Sequence, residues 1–134
     1  LRHEGRVLPI LVGVPEASAI QVGLMQEKTA RPMTHDLIRN LLVGLRAELQ
    51  SVTIYRLEND TFYAHLNIEQ KNNNGETEQV LRIDTRPSDG IAVAVRVGCP
   101  IFAAEEVMDA AAQDASILGG GDDDSDDEEE EFPS

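Results

Sequence analysis

A single α+β domain, built as a mixed β-sheet with helices packed on it, is the fold class this chain predicts, and two patterns predict it. Three strand-like segments joined by turns fill the middle of the sequence, and stretches with helical spacing of apolar residues stand on both sides of them. The length of 134 residues suits one domain, with residues 1–118 as its folded part and residues 119–134 as a disordered tail of glycine and acid.

Residues 7–12 are continuously apolar and read as a buried strand. Gly13 and Pro15 break it, and Glu16 starts a helix in which Ala17, Ile20 and Leu24 recur at helical spacing. Residues 29–33 connect to a second helix over residues 35–47, where Leu37, Leu41 and Leu45 form one stripe, widened by Ile38 and Leu42, that should pack on the sheet. Residues 51–57 alternate, Glu58-Asn59-Asp60 make a turn, and residues 62–68 return as the second arm of a β-hairpin. Asn72-Asn73-Asn74-Gly75 form a looser turn into a third strand at residues 77–83. Residues 91–97, rich in Ala and Val, form a helix ended by Gly98, followed by a short strand at residues 100–103 and a last helix at residues 105–112.

Residues 7–24 align without a gap on residues 80–97, matching Val7 with Val80, Leu8 with Leu81, Ile10 with Ile83, Ala19 with Ala92 and Val22 with Val95. A duplicated strand-loop-helix unit and chance similarity of two apolar segments account for this equally well. Duplication would bring the aligned acids Glu16 and Asp89 to equivalent positions at the starts of two helices.

Two hexapeptides stand out: Arg31-Pro32-Met33-Thr34-His35-Asp36 and Asp84-Thr85-Arg86-Pro87-Ser88-Asp89. Proline fixes φ and pushes the residue before it toward extended geometry, so both arginines should leave an extended segment at a sharp entry into a helix. Thr34 and Ser88 are the expected N-caps, and an acid in the first turn complements the positive end of the helix dipole. Two arginines, a histidine and three aspartates exceed what two caps require. That surplus points to a site.

These hexapeptides, together with Leu8-Pro9-Ile10, Glu16-Ala17, Thr61-Phe62-Tyr63-Ala64 and Pro100-Ile101, closely resemble the bifunctional nuclease domain family over roughly residues 6–110. The resemblance implies a small α+β domain, a bacterial member, acting on RNA and DNA. It also implies one or two further strands ahead of Leu1, which is not an initiator Met, so the chain reads as a fragment. Gly90 follows Asp89 where the family more often has alanine; glycine in a first helical turn is a small loss.

Hydrolysis of a phosphodiester requires an activated water and a stabilised developing charge, and carboxylates holding one or two Mg²⁺ or Mn²⁺ ions supply both. Asp36, Asp84 and Asp89 are the expected metal-binding carboxylates, with Glu16 in reserve. His35, with Asp36 and Asp89, would move protons, and Arg31 and Arg86 would grip phosphate in a fork. No spacing requires these groups to converge, and Arg31 and Arg86 can equally pair with the aspartates as a lattice joining two helices. The rival reading is therefore a non-catalytic interaction or regulatory domain that binds a protein, nucleic acid or small anion through its Arg/Asp turns. No Gly-rich phosphate loop, serine nucleophile signature or paired cysteine is present, which argues against an NTPase, a serine hydrolase and a zinc finger, and no organic cofactor is expected.

Between residues 122 and 131 nine acids flank a lone Ser125, carrying −9 of the formal −14 and leaving −5 on residues 1–121. Such a chain is no basic nucleic-acid coat, because non-specific binding runs on phosphate neutralisation. An acidic nuclease must concentrate its arginines locally, and Arg31, Arg39, Arg86 and Arg96 are the candidates. His65 and His3 read as surface residues. Cys99, the one cysteine, excludes an intramolecular disulfide and reads as a buried thiol. No apolar run is long enough for a membrane span, so a cytoplasmic domain is expected, and a homodimer would cover apolar surface left by the absent strands. Deleting residues 119–134 should leave the melting temperature nearly unchanged in a thermal denaturation experiment; a drop of several degrees would refute a disordered tail.

Overall fold

The computed structural model describes residues 1–114 apart from Glu4, Lys28 and Ala112; the expected acidic tail lies outside the described residues. Two short strands, β1 (Arg2–His3) and β2 (Arg6–Val7), open the chain, and helix α1 (Val14–Leu24) follows. Residues 7–12 are thus not one buried strand. Pro9 lacks the N–H that a ladder needs, so β2 stops at Val7; Leu8 is fully buried, while Leu11 is fully exposed. Pro15 belongs to the first turn of α1 rather than breaking the chain, since its missing N–H has no helical partner there.

Helix α2 (Thr34–Gly44) ends where Leu45 caps it and Arg46 takes a φ of +57°, which turns the chain straight into β3 (Ala47–Glu58). Asn59 and Asp60, with φ of +52° and +64°, form the two-residue turn to β4 (Thr61–Lys71) that matches the twist of a hairpin. The looser turn is closed by Asn72, whose Oδ1 accepts N–H bonds from Asn74 and Glu76 at 2.9 and 3.0 Å, and β5 (Thr77–Thr85) follows. Helix α3 (Pro87–Val97), β6 (Ile101–Ala103), α4 (Glu105–Ala111) and β7 (Gln113–Asp114) complete the described chain.

The main sheet has the order β5-β4-β3-β6, antiparallel except for the β3–β6 pair, so it is mixed as expected. β2 pairs with β1 and β7 in a second, minimal sheet. α3 lies against β3 and β4, α1 and α2 flank α3, and α4 lies against β3. One core joins Val52, Ile54, Leu66 and Ile68 of the sheet to Ile91, Val93 and Ala94 of α3 and Val107 and Met108 of α4. Tyr55, Tyr63 and His65, on the opposite pleat, contribute nothing to it.

Both flanking helices are rotated from the faces that spacing predicts. In α1 Ile20 packs on the core as its spacing predicts, but the buried residues are Ala19 and Gly23, whereas Ala17 and Leu24 are exposed. In α2, Ile38 and Leu42 pack on the core, and Leu37, Leu41 and Leu45 are all more than half exposed. Polar anchors set these rotations: His35 and Asp36 both bond to residues of α3, which turns Leu37 outward.

α3 approaches its neighbours closely. A Cβ on Gly90 would lie 3.1 Å from Val52 Cγ1 and 3.2 Å from Thr85 Cγ2, so this glycine is a packing residue against the sheet and not merely a small loss in a helical turn. A Cβ on Gly23 would lie 2.6 Å from both Arg96 Nη1 and Val95 Cγ2, across the α1–α3 contact. Gly23→Ala should therefore destabilise the domain by about 1–3 kcal/mol through overpacking, read as a lower urea midpoint; an unchanged midpoint would mean the α1–α3 contact yields freely.

Candidate functional site

Three helices begin alike. Glu16, Asp36 and Asp89 are each the third residue of α1, α2 and α3, where a carboxylate faces the positive helix end. The N-caps are Gly13, Met33 and Arg86, not the expected Thr34 and Ser88, and none caps through its side chain. Proline displaces the cap in α3: with Pro87 at the first helical position, extended Arg86 becomes the cap and Ser88 moves inside the first turn, where it is buried. In α2, Asp36 makes the back-bond of a capping box from inside the helix, its Oδ2 accepting the N–H of the N-cap Met33 at 2.9 Å.

The two hexapeptides meet. His35 Nε2 lies 2.9 Å from Asp89 Oδ1, and Arg86 Nε donates to Asp89 Oδ2 at 2.9 Å. Arg86 Nη2 also reaches Glu16 Oε2 at 3.6 Å. The resulting chain, His35–Asp89–Arg86–Glu16, joins the starts of all three helices, and its most exposed member is Arg86: the His35 side chain is 12 % exposed, that of Arg86 65 % and that of Glu16 27 %. Glu16 and Asp89, the aligned acids of the internal echo, thus share one arginine. Burial pushes the Asp89 pKa up, but the bonds from Arg86 and His35 outweigh it and hold the carboxyl below its ordinary value. The Arg86 guanidinium is correspondingly raised by the Asp89 bond. Arg86 and Glu16 line a cleft of about 950 Å³, walled by Ile10, Leu57, Phe62 and Pro87.

Asp36 belongs elsewhere. Arg96 Nε donates to its Oδ1 at 2.7 Å, while Arg96 Nη1 donates to the carbonyls of Ala19 and Ala92 at 3.0 and 2.8 Å. The Arg96 side chain is 3 % exposed, so it is no part of an accessible basic patch; it is a buried tie between α1, α2 and α3. The bond from the Met33 N–H, followed by that from Arg96, lowers the Asp36 pKa against the opposing effect of burial. Sequence reasoning placed Arg96 among phosphate candidates because nothing local pairs it with an acid 60 residues away.

The remaining expected residues do not join the chain. Arg31 is exposed, and its guanidinium has no ion-pair partner among the described residues. Asp84 is exposed on β5, opposite His65, on the far pleat of the sheet. Among the described residues no group of three His, Cys, Asp or Glu side chains could hold a metal ion, and Arg86 already engages both Glu16 and Asp89. The carboxylates are therefore not arranged as a ready-made ion cage. Cys99 is half-buried, and burial pushes its thiol up to about 11. No described helix is long and apolar enough to cross a membrane.

A small α+β domain whose two Arg-Pro turns converge on a histidine, two acids and an exposed arginine is the class that fold and site define. The chain belongs to the bifunctional nuclease domain family, whose sequence model matches residues 1–116. It is 40 % identical over 103 residues to an uncharacterized protein of Mycobacterium tuberculosis, covering 77 % of this chain and 57 % of that one. Bifunctional nuclease 1 of Arabidopsis thaliana is 26 % identical over 97 residues, covering 72 % of this chain and 29 % of the plant protein. Bifunctional nuclease 2 of the same plant is 25 % identical over 97 residues, with the same coverage. The chain thus spans little more than half the length of the mycobacterial relative and less than a third of the plant ones.

Breaking a buried ion pair from one side strands the other charge. Asp36→Asn should cost roughly 3 kcal/mol of stability at pH 7, measured by urea denaturation. Because the folded-state pKa of Asp36 is lowered, its contribution is complete above the unfolded aspartate value and is lost as pH falls through the folded one. The gap between wild type and variant should therefore close in acid, and a gap that persists there would assign the cost to something other than charge.

Proposed function

We propose that the domain is a nuclease that hydrolyses phosphodiester bonds of RNA and DNA in the cytoplasm. The observation that carries this reading is the His35–Asp89–Arg86 chain ending at an exposed guanidinium that lines the cleft of about 950 Å³. Arg86 exchanges its carboxylate partners for a substrate phosphate, which a planar fork of donors suits. With Asp89 ionised, its hydrogen bond to His35 puts the ring proton on Nε2, so Nδ1 is the basic nitrogen. That nitrogen takes a proton from water as the water oxygen bonds to phosphorus. The bond to the leaving oxygen breaks, the leaving oxygen takes a proton from solvent water, and the imidazolium returns its Nδ1 proton to the hydroxide so formed. Asp89 acts by holding the imidazole and stabilising its protonated form, as a carboxylate does behind a catalytic histidine.

A divalent ion, Mg²⁺ or Mn²⁺, remains part of the proposal to be tested. Since Glu16 and Asp89 are both held by Arg86 and Asp36 by Arg96, every step above is assigned to protein groups. A homodimer is also proposed, because Leu37 and Leu41 leave an apolar stripe along α2 that a second copy would cover. The competing reading, a non-catalytic interaction or regulatory domain, draws on one observation: Arg86 already has two carboxylate partners, as in a structural lattice.

Cleavage of labelled single-stranded RNA and DNA with Mg²⁺, Mn²⁺ or EDTA decides between them. Wild type should cut, His35→Gln and Asp89→Asn should cut about 10²–10⁴-fold more slowly, and Arg86→Ala should mainly raise KM. Equal cutting by all, or none by wild type, would leave the interaction domain; loss in EDTA alone would establish the ion.

A further inference from the structure

The pleat of the sheet that faces away from the core carries an organised aromatic surface. β3 has an irregularity between Ile54 and Arg56, so Tyr55 and Arg56 both stand beside Tyr63. Such a bulge re-aims side chains. Here the Arg56 guanidinium carbon lies 5.5 Å from the centroids of both the Tyr55 and Tyr63 rings. The Tyr55 ring lies 6.4 Å from Tyr63 and 4.9 Å from His65. Alongside, Asn67 donates to Ser51 Oγ and Thr53 Oγ1 at 2.8 and 2.9 Å, which holds that side of the pleat in order, and exposed Arg82 stands opposite Asn67 on β5. Burial, then the Arg82 charge, lower the His65 pKa, so its ring is neutral at pH 7 and stacks as an aromatic.

We propose that this face is a stacking platform for single-stranded nucleic acid, in which unpaired bases lie on Tyr55, Tyr63 and His65 while Arg56 and Arg82 meet the backbone phosphates. Partly exposed rings, inclined to one another by 48° and 32°, together with two cations are the chemistry that binds unpaired bases without reading sequence; paired bases hide their faces within the duplex. The platform and the candidate site occupy opposite faces of the sheet and meet at the end of β5: Thr85 pairs with buried Ala64, the neighbour of Tyr63 along β4, and Arg86 is the next residue, so a strand leaving Tyr63 reaches the arginine by passing round the end of the sheet. Asp84, Glu69, Glu48 and Glu58 share this pleat, and Arg56 Nη1 already donates to Glu58 Oε1 at 3.3 Å, so a phosphate must displace that carboxylate and stacking is the main source of affinity. The inference rests on the nuclease reading for the identity of the polymer, but it is measured without cleavage.

Tyr55 and Tyr63 are the only tyrosines and the chain has no tryptophan, so intrinsic emission reports this platform alone. The experiment titrates the full chain with an oligothymidylate of about twelve nucleotides, and with the matching duplex, in EDTA. Tyrosine emission and the anisotropy of a labelled probe are followed. The single strand should bind in preference to the duplex and quench tyrosine emission. Tyr55→Leu and Tyr63→Leu should each weaken binding about tenfold, with Phe at either position retaining it. With two arginines on phosphate, log K should fall against log salt with a slope of about −1.4. Absence of binding, preference for duplex, or equal binding by the Leu variants would overturn the platform even if the domain cuts. So would self-association that the Leu variants abolish, which would assign the face to a second copy. Should the Leu variants fail to fold, quenching of the wild type by single strand and not by duplex supports the platform, and no quenching overturns it.

Discussion

Arg96 stands where three helices meet, and the orientation of the site follows from how its charge is matched. Its guanidinium is inserted among α1, α2 and α3 with one carboxylate and two carbonyls around it, and its Nη2 is buried without a hydrogen-bond partner among the described residues. Burial of an ion pair contributes little net stability compared with an apolar contact of the same size, yet loss of either partner costs several kcal/mol. Its principal effect is orientation. With Asp36 drawn to Arg96 and His35 to Asp89, α2 has one allowed rotation, which is why two of its leucines face solvent despite the cost of exposing them.

The architecture was legible where local chemistry is decisive. Two-residue turn chemistry at Asn59-Asp60 and alternation in β3 and β4 specify a hairpin, and Arg-Pro followed by an acid marks both helix entries. No spacing required the two hexapeptides to converge, yet His35 and Asp89 meet. What local pattern does not carry is which carboxylate takes which arginine. Asp36 and Asp89 are alike in sequence and in helix position, but one is closed off by Arg96 and the other shared by Arg86 and His35. Apolar spacing misled at α1 and α2 because it assumes that leucine decides a helix's rotation; at α2 a buried guanidinium does, and at α1 the small residues Ala19 and Gly23 admit a neighbouring helix.

On the proposed function, an acidic chain that meets a polyanion must keep its few accessible cations from being cancelled at long range. Arg86 would do so by exchanging Glu16 and Asp89 for a phosphate. The proposed platform on the aromatic pleat would rely instead on ring faces whose attraction to a base is indifferent to net charge. Both surfaces end at the junction of β5 and α3, so the Thr85–Pro87 turn connects what happens on the two sides of the sheet.

β5 has a further consequence for the life of the domain in a crowded solution. It is an edge strand of nine residues, exposed at nearly every position, with a row of backbone donors and acceptors on its outer side that another strand could zip onto. Its outward pleat, however, reads Glu78, Val80, Arg82, Asp84, and the opposite edge strand, β6, is only three residues long. An approaching copy in either direction meets charge or finds too short a rail. A domain that leaves leucines uncovered on one helix is thereby protected from growing, sheet upon sheet, into a fibre.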